Sequence, residues 1–369
     1  MDRRTFLMLA AAGLAHADGA SAFASSAQGR SVFPGSEWDT LLRPPLPQAD
    51  ALLQQVRGGD TTGLLVIMGG RVLFEYGDLR ETSYIASARK SLISMLYGKY
   101  VSNATIPLSR TLRALRIDDK DGLLPAELDA TVGDLLSARS GVYHRAANLG
   151  DASDRAPARG SVKHGTYFLY NNWDFNALGA ILERETGRGV YELFGADIAA
   201  PIGLKDWNVA PGAHQDLIRN DTGLSQFPAH HFVLSTRDMA RLGYLMLRKG
   251  RWNDRQVVPA DWVQRSTRAV TSAAEVARTS PFIPGLGYGY LWWTFDAAPF
   301  KDTPLHGGYT ASGAYGQYIT VIPRLDVVVA HKTAVPPARN LPNEVYFGAI
   351  LPRIVALARA VPVLLDGGQ

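Results

Sequence analysis

The chain has 369 residues, 46% hydrophobic and 20% charged, and its mean hydropathy of -0.05 is that of an ordinary globular protein, which excludes disordered and fibrous classes. A net charge of +4 and an isoelectric point near 9.2 arise from scattered residues without a basic run, so nucleic-acid binding is disfavoured. Cysteine is absent, which removes disulfides, thiol nucleophiles and Cys-ligated metal sites, so any nucleophile must be oxygen or nitrogen.

The first residues read as a targeting segment. Arg3 and Arg4 precede an apolar stretch, Phe6 to Leu14, that is too short to span a bilayer. Ala22-Phe23-Ala24 supplies a small-x-small cleavage pattern, with Ala15-His16-Ala17 as an earlier option. Residues 1–24 are therefore expected to be a twin-arginine-type signal peptide, and the mature protein to be periplasmic or secreted, without stable membrane insertion.

Ala49 to Val56 predicts a short amphipathic helix. Gly63 to Met68, Gly69-Gly70 and Arg71 to Tyr76 predict a strand, a primed turn and a strand. Ser87 to Tyr100 has helical periodicity, and helical patterns predominate from about 105 to 265. Arg110, Arg113 and Arg116, followed by Asp118, Asp119 and Asp121, read as a solvated helical face. Ser235 to Asp238 resembles a capping box with Asp in the acidic position. Strand patterns return at Tyr288 to Phe295, Tyr315 to Ile322 and Val327 to His331, and a last helix is expected from Asn343 to Ala360. The expected fold is α/β (α+β): an antiparallel sheet flanked by terminal helices, with an inserted helical lobe. Residues 30–104 and 266–369 would form a discontinuous sheet domain and 105–265 a mainly helical one, with a cleft between them. Two long irregular stretches, 145–165 and 267–285, are candidate lids or binding loops.

Three short patterns carry chemistry. In Ser87-Ala-Arg-Lys90 the serine and lysine share a helical face, so the amine can take the hydroxyl proton if burial or other cations lower its pKa. The helix start adds free N–H groups for an oxyanion. In Tyr170-Asn171-Asn172, the phenol can share a proton with a lysine and Asn172 can donate to a carbonyl or orient Lys90. In His306-Gly307-Gly308-Tyr309, the glycines permit close approach of a substrate, and the following N–H can complete an oxyanion hole. Adjacent His230 and His231 make a poor metal pair, and Trp173, Trp292 and Trp293 read as core or cleft wall. No metal site or cofactor is expected.

In this order the three patterns resemble those of the serine β-lactamase and penicillin-binding-protein superfamily. Similar phrases recur at Thr131–Leu136, Ser140–Val142, Tyr170–Ala180, Pro201–Leu204, Asp238–Gly243, Gly250–Trp252 and Tyr288–Trp293. The tyrosine in the second motif is similar to the class C branch, which includes family VIII carboxylesterases, D-amino-acid-specific peptidases and 6-aminohexanoate-dimer hydrolase. The resemblance implies a β-lactamase/transpeptidase-like fold and an acyl-enzyme on Ser87. Lys90 and Tyr170 would transfer protons, Asn172 would position them, and the amides of Ser87 and Tyr309 would hold the oxyanion. His306 stands where family members have the lysine of Lys-Thr-Gly, which favours an uncharged ester or amide substrate over a carboxylate-bearing one. Lys332-Thr333-Ala334 ends the last strand and reads as a decoy. The expected function is a serine hydrolase of the carboxylesterase or amidase kind acting on a small molecule. A β-lactamase or D-alanyl-D-alanine carboxypeptidase, and a non-catalytic peptidoglycan- or peptide-binding protein, remain alternatives.

Overall fold

Apolar strands from both ends of the chain meet in one sheet. The computed structural model describes residues 31–361 except 44, 149, 216–219, 281, 282, 284 and 336–339. The targeting segment expected over residues 1–24 lies outside the described residues.

Helix α1 (Pro47–Arg57) begins with a proline, whose missing N–H costs no bond in the first turn. Strands β1 (Gly63–Met68) and β2 (Arg71–Gly77) form a hairpin, with Gly69 and Gly70 at φ 60° and 81°, the left-handed values a primed turn requires. Strand β3 (Ser83–Tyr84) pairs with the distant β4 (Val233–Leu234), and β5 (Arg251–Trp252) with β6 (Arg255–Gln256). The later chain supplies β7 (Gly287–Tyr288), β8 (Trp293–Thr294), β9 (Tyr309–Gly313), β10 (Gln317–Ile322) and β11 (Val327–Lys332). The seven-stranded antiparallel sheet runs β2-β1-β11-β10-β9-β8-β7, so β1 lies beside the last strand of the chain.

The main helices of the middle segment are α2 (Arg89–Ser102), α3 (Asn172–Thr186) and α4 (Thr236–Leu247), and α5 (Leu351–Ala360) closes the described chain. Helices α1 and α5 pack together, and Tyr346, just before α5, stacks on Tyr318 of β10 at 3.7 Å. Helix α4 covers the opposite face, against β1, β10 and β11. With both faces covered, β10 and β11 are buried throughout, which is why their apolar residues do not alternate with exposed polar ones. This is the α/β architecture expected, an antiparallel sheet flanked by terminal helices with a helical segment inserted.

Several local expectations need correction. Helix α4, counted with the inserted lobe by the 105–265 division, lies on the sheet itself. Its Ser235 cap accepts the Asp238 amide, but the Asp238 carboxylate accepts the amides of Lys205 and Asp206 at 2.6 and 2.9 Å. The stretch 288–295 is two strands, β7 and β8, reversed at Leu291 with φ 64°. The late strand expected from Tyr315 begins at Gln317, because Tyr315 and Gly316 turn at φ 68° and 99°. The stretch 267–285 contains a helix, Ala273–Thr279, started by a Ser272/Glu275 capping box. Residues 343–360 are helical as expected, interrupted by one wide turn at Tyr346–Ile350.

Candidate active site

Ser87 occupies a tight turn, Ala86–Ala88, just before α2. The turn is anchored by β3 pairing with β4 and by the Ile85 amide donating to Phe232 O at 3.1 Å. Ala86 is held at φ 48°, a left-handed value that costs an L-residue energy and recurs at functional turns. Ser87 is only partly buried, so its hydroxyl remains accessible.

One turn along, Lys90 is 2% exposed. Its Nζ donates to Ser87 Oγ at 2.9 Å and to Tyr170 OH at 2.7 Å. The same nitrogen lies 4.2 Å from the Tyr170 ring centroid and 4.6 Å from that of Phe175. Burial, then the neighbouring Arg89 charge, hold the Lys90 ammonium well below its ordinary range, and Asp151 opposes them. Burial pushes the Tyr170 phenol up, while its bond with Ser87 pulls the other way. A neutral amine between two hydroxyls is an arrangement that can accept a proton from one and return it through the other.

Tyr170 is locked by aromatic packing: it stacks on Trp293 at 5.5 Å and leans on Phe175 at 4.9 Å. Asn171, not Asn172, caps α3, with its side-chain oxygen accepting the Trp173 amide at 3.0 Å. Its Nδ2 donates to Val142 O at 2.6 Å, and Ser140 Oγ donates to Asp174 at 2.6 Å, which ties the Ser140–Val142 phrase to the second motif. Asn172 is buried at the first helical position; its amide donates to Asp151 Oδ2 at 2.8 Å and its Nδ2 to Asn148 O at 3.4 Å. These bonds fasten the 145–165 stretch over the lysine.

The third pattern is displaced from its expected position. Phe295 N donates to Gly308 O at 2.9 Å, and amides alternate sides along a strand, so Gly308, Thr310 and Ser312 point toward β8 while Tyr309, Ala311 and Gly313 point toward β10. The Tyr309 amide thus faces Val321 inside the sheet and cannot hold an oxyanion. Strand β8 pairs with β9 only at Tyr309 and Thr310, so the Ser312 amide points off the edge beyond the end of β8. Any side chain at the neighbouring Gly313 would collide with Ile85 O and stand 3.0 Å from the Ala88 amide, so this end of β9 abuts the Ser87 turn. Tyr309 lies about 10 Å up the strand. Gly307, partly buried His306 and the Gly308 bend come before it, and the Tyr309 ring packs edge-on against Trp292 at 5.3 Å.

The remaining candidates sit elsewhere. Lys332 is buried at the end of β11, where its Nζ donates to the carbonyls of Glu81 and Leu234 and burial brings it down to about 7. His230 and His231 are buried, with His230 Nε2 3.2 Å from Glu183. Trp173, Trp292 and Trp293 are at most 3% exposed. Among the described residues no cluster of His, Cys, Asp or Glu has a metal-holding arrangement, and no helix is long and apolar enough to cross a membrane. Sequence reasoning missed Ser312, Gly313, Arg89 and Asp151; a small-residue strand ending in glycine was the available signal for the first two.

The profile of the beta-lactamase family matches residues 50–338. Among curated proteins no sequence matches the chain. Among solved structures, a protein described as a 6-aminohexanoate-dimer hydrolase from Bacillus anthracis is similar over 88% of this chain and 87% of its own, at 17% identity and TM-score 0.64. EstCE1, described as a hydrolase with promiscuous acyltransferase activity, is similar over 84% of this chain and 99% of its own, at 18% identity and TM-score 0.60. A beta-lactamase from Mycobacterium bovis is similar over 83% and 97%, at 18% identity and TM-score 0.57. At these identities the structural likeness establishes the fold.

Proposed function

Because the chain belongs to the beta-lactamase family, whose fold is that of serine hydrolases with esterase, amidase and beta-lactamase neighbours, we propose that it cleaves an uncharged ester or amide through an acyl-enzyme on Ser87. The observation that carries this reading is the Lys90 Nζ between Ser87 Oγ and Tyr170 OH. Neutral Lys90 takes the Ser87 proton as Oγ attacks the carbonyl carbon. The oxyanion forms against the amides of Ser87 and Ser312. As the bond to the leaving group breaks, the proton returns through Lys90 and Tyr170 to the departing oxygen or nitrogen. Water then adds to the acyl carbon, gives its proton to the same pair and releases the acid with Ser87 restored.

The face of β9 that abuts the Ser87 turn supports this substrate class. Tyr309, Ala311 and Gly313 offer no cation to a substrate carboxylate, which supports neutral esters or amides over β-lactams and D-alanyl peptides. Residues 1–24 serve on this reading as an export signal, which N-terminal sequencing of the mature protein checks.

Intact-mass analysis after fluorophosphonate treatment tests the proposal, beside Ser87→Ala and a panel of p-nitrophenyl esters and carboxylate-bearing β-lactams. One adduct on wild type, none on Ser87→Ala, and turnover of neutral esters is the expected result. Preferential turnover of β-lactams would overturn the substrate class. No adduct and no turnover on folded protein would leave a binding protein of the same fold.

A further inference from the structure

Arg89 stands between the two partners of the Ser87–Lys90 pair and is itself 2% exposed. Its Nη2 donates to Asn176 Oδ1 at 3.1 Å, while its buried Nη1 has no hydrogen-bond partner among the described residues. No described ion pair gives it a carboxylate. The titratable groups acting on it are the phenols of Tyr84, Tyr170 and Tyr191. A buried guanidinium without an anion lowers stability, so its presence at this position calls for a function.

The two cations share one buried helical turn, and only the lysine can shed its proton. Lys90 is faced from its own turn by Ser87 and Arg89, from the start of α3 by Tyr170 and Phe175, from the 145–165 stretch by Asp151, and from before β4 by His231. Asp151, the carboxylate in this set, already accepts the Asn172 amide. Burial also holds His231 neutral, down to about 3. Arg89 is therefore the fixed positive charge against which the lysine amine is set. Its Nη2 is bonded to Asn176, which in turn donates to Asn148 Oδ1 at 2.9 Å, but its place in the helical turn is set by the α2 backbone.

We propose that Arg89 is a positioning residue that keeps Lys90 uncharged and ready to accept the Ser87 proton. The proposal rests on the role given to Lys90 above, but the charge relation is measurable without catalysis. The burial and the Arg89 charge act on Lys90 in the same direction, against Asp151.

The experiment is a titration of Lys90 by carbon NMR on protein carrying ε-labelled lysine, assigned with Lys90→Arg, alongside the pH profile of fluorophosphonate labelling. In wild type Lys90 is expected to titrate well below the ordinary lysine range, with the acidic limb of labelling at the same pH. Arg89→Met and Arg89→Gln are expected to move both upward by on the order of one pH unit. Asn176→Ala, which removes the hydrogen-bond partner but keeps the charge, is expected to leave the titration in place. Ordinary titration of Lys90 in wild type overturns the proposal, as does an unmoved titration in the folded Arg89 variants or an equal shift in Asn176→Ala. Wild-type protein that resists labelling sinks the catalytic reading instead, and the titration still decides the role of Arg89.

Discussion

Lys90 divides its hydrogen bonds between the Ser87 hydroxyl and the Tyr170 phenol, so deleting the phenol leaves the Lys90–Ser87 bond in place. Tyr170→Phe keeps the ring on Trp293 and Phe175 and removes only the oxygen that accepts from Nζ. Its ester kcat/KM is expected to fall by about 10²- to 10⁴-fold, the usual worth of a positioned proton-transfer group, with little change in thermal midpoint. Steady-state kinetics and a melt of the same preparation check this; an unchanged rate would remove Tyr170 from the proton path.

At the scale of the strand, β9 makes a sharper prediction. The Ser312 amide points off the sheet, so proline at this position removes a donor without breaking a ladder bond. Ser312→Pro is expected to lose about 10²- to 10³-fold in kcat while Ser312→Ala stays near wild type, because the donor is backbone. Equal losses in both would point to the side chain. This strand also shows why the site was only partly legible in the sequence. The Ser87–Lys90 pair was legible because helical spacing is local, whereas Tyr170, 80 residues from Lys90, joined them only through the family resemblance. The register of β9 is set by β8 and β10, and Tyr309 to Gly313 has no alternation to reveal it, so the conspicuous Gly307-Gly308 pair drew the oxyanion expectation to the Tyr309 amide, three residues before the Ser312 amide that points off the sheet. The paired strands β7 and β8 were hidden for a similar reason: the left-handed position of their turn is taken by Leu291 rather than by Gly289, which stands two residues earlier. The fold class was legible because apolar strands at both ends of the chain and helices between admit few arrangements.

Across the whole molecule, buried neutral histidines couple folding to acid. His331 is wholly buried; its Nδ1 meets Gly316 O at 2.7 Å and its Nε2 meets Thr61 Oγ1 at 2.9 Å, so the neutral ring donates to the carbonyl and accepts from the hydroxyl. Burial brings it down to about 4, and His231 down to about 3. Both folded values lie below the unfolded value of about 6.5, so below that pH the unfolded chain binds protons that the fold refuses. The contribution of these histidines is therefore full above about pH 6.5 and falls toward pH 4, by roughly 3 kcal/mol from His331 alone. Buried Asp174 and Asp238, whose carboxyls burial pushes up, act in the opposite sense. Thermal midpoints from pH 7 to pH 4 should drop in wild type and drop less in His331→Gln; parallel curves would exclude His331 as the source.

The pairing of β1 with β11 brings Gly63 opposite Lys332, residues far apart in the chain. The β1–β2 hairpin emerges from the ribosome before the other strands of the sheet but has no partner on its inner edge until β11 is made. Folding is thus governed by long-range closure, and the nascent chain must carry an open strand edge through most of its synthesis. A chain stopped after Asp296 would retain Ser87, Lys90 and Tyr170 yet lack β9, β10 and β11. Such a fragment is expected to aggregate on expression; a soluble, cooperatively melting fragment would show that the earlier part of the chain can fold before the sheet closes.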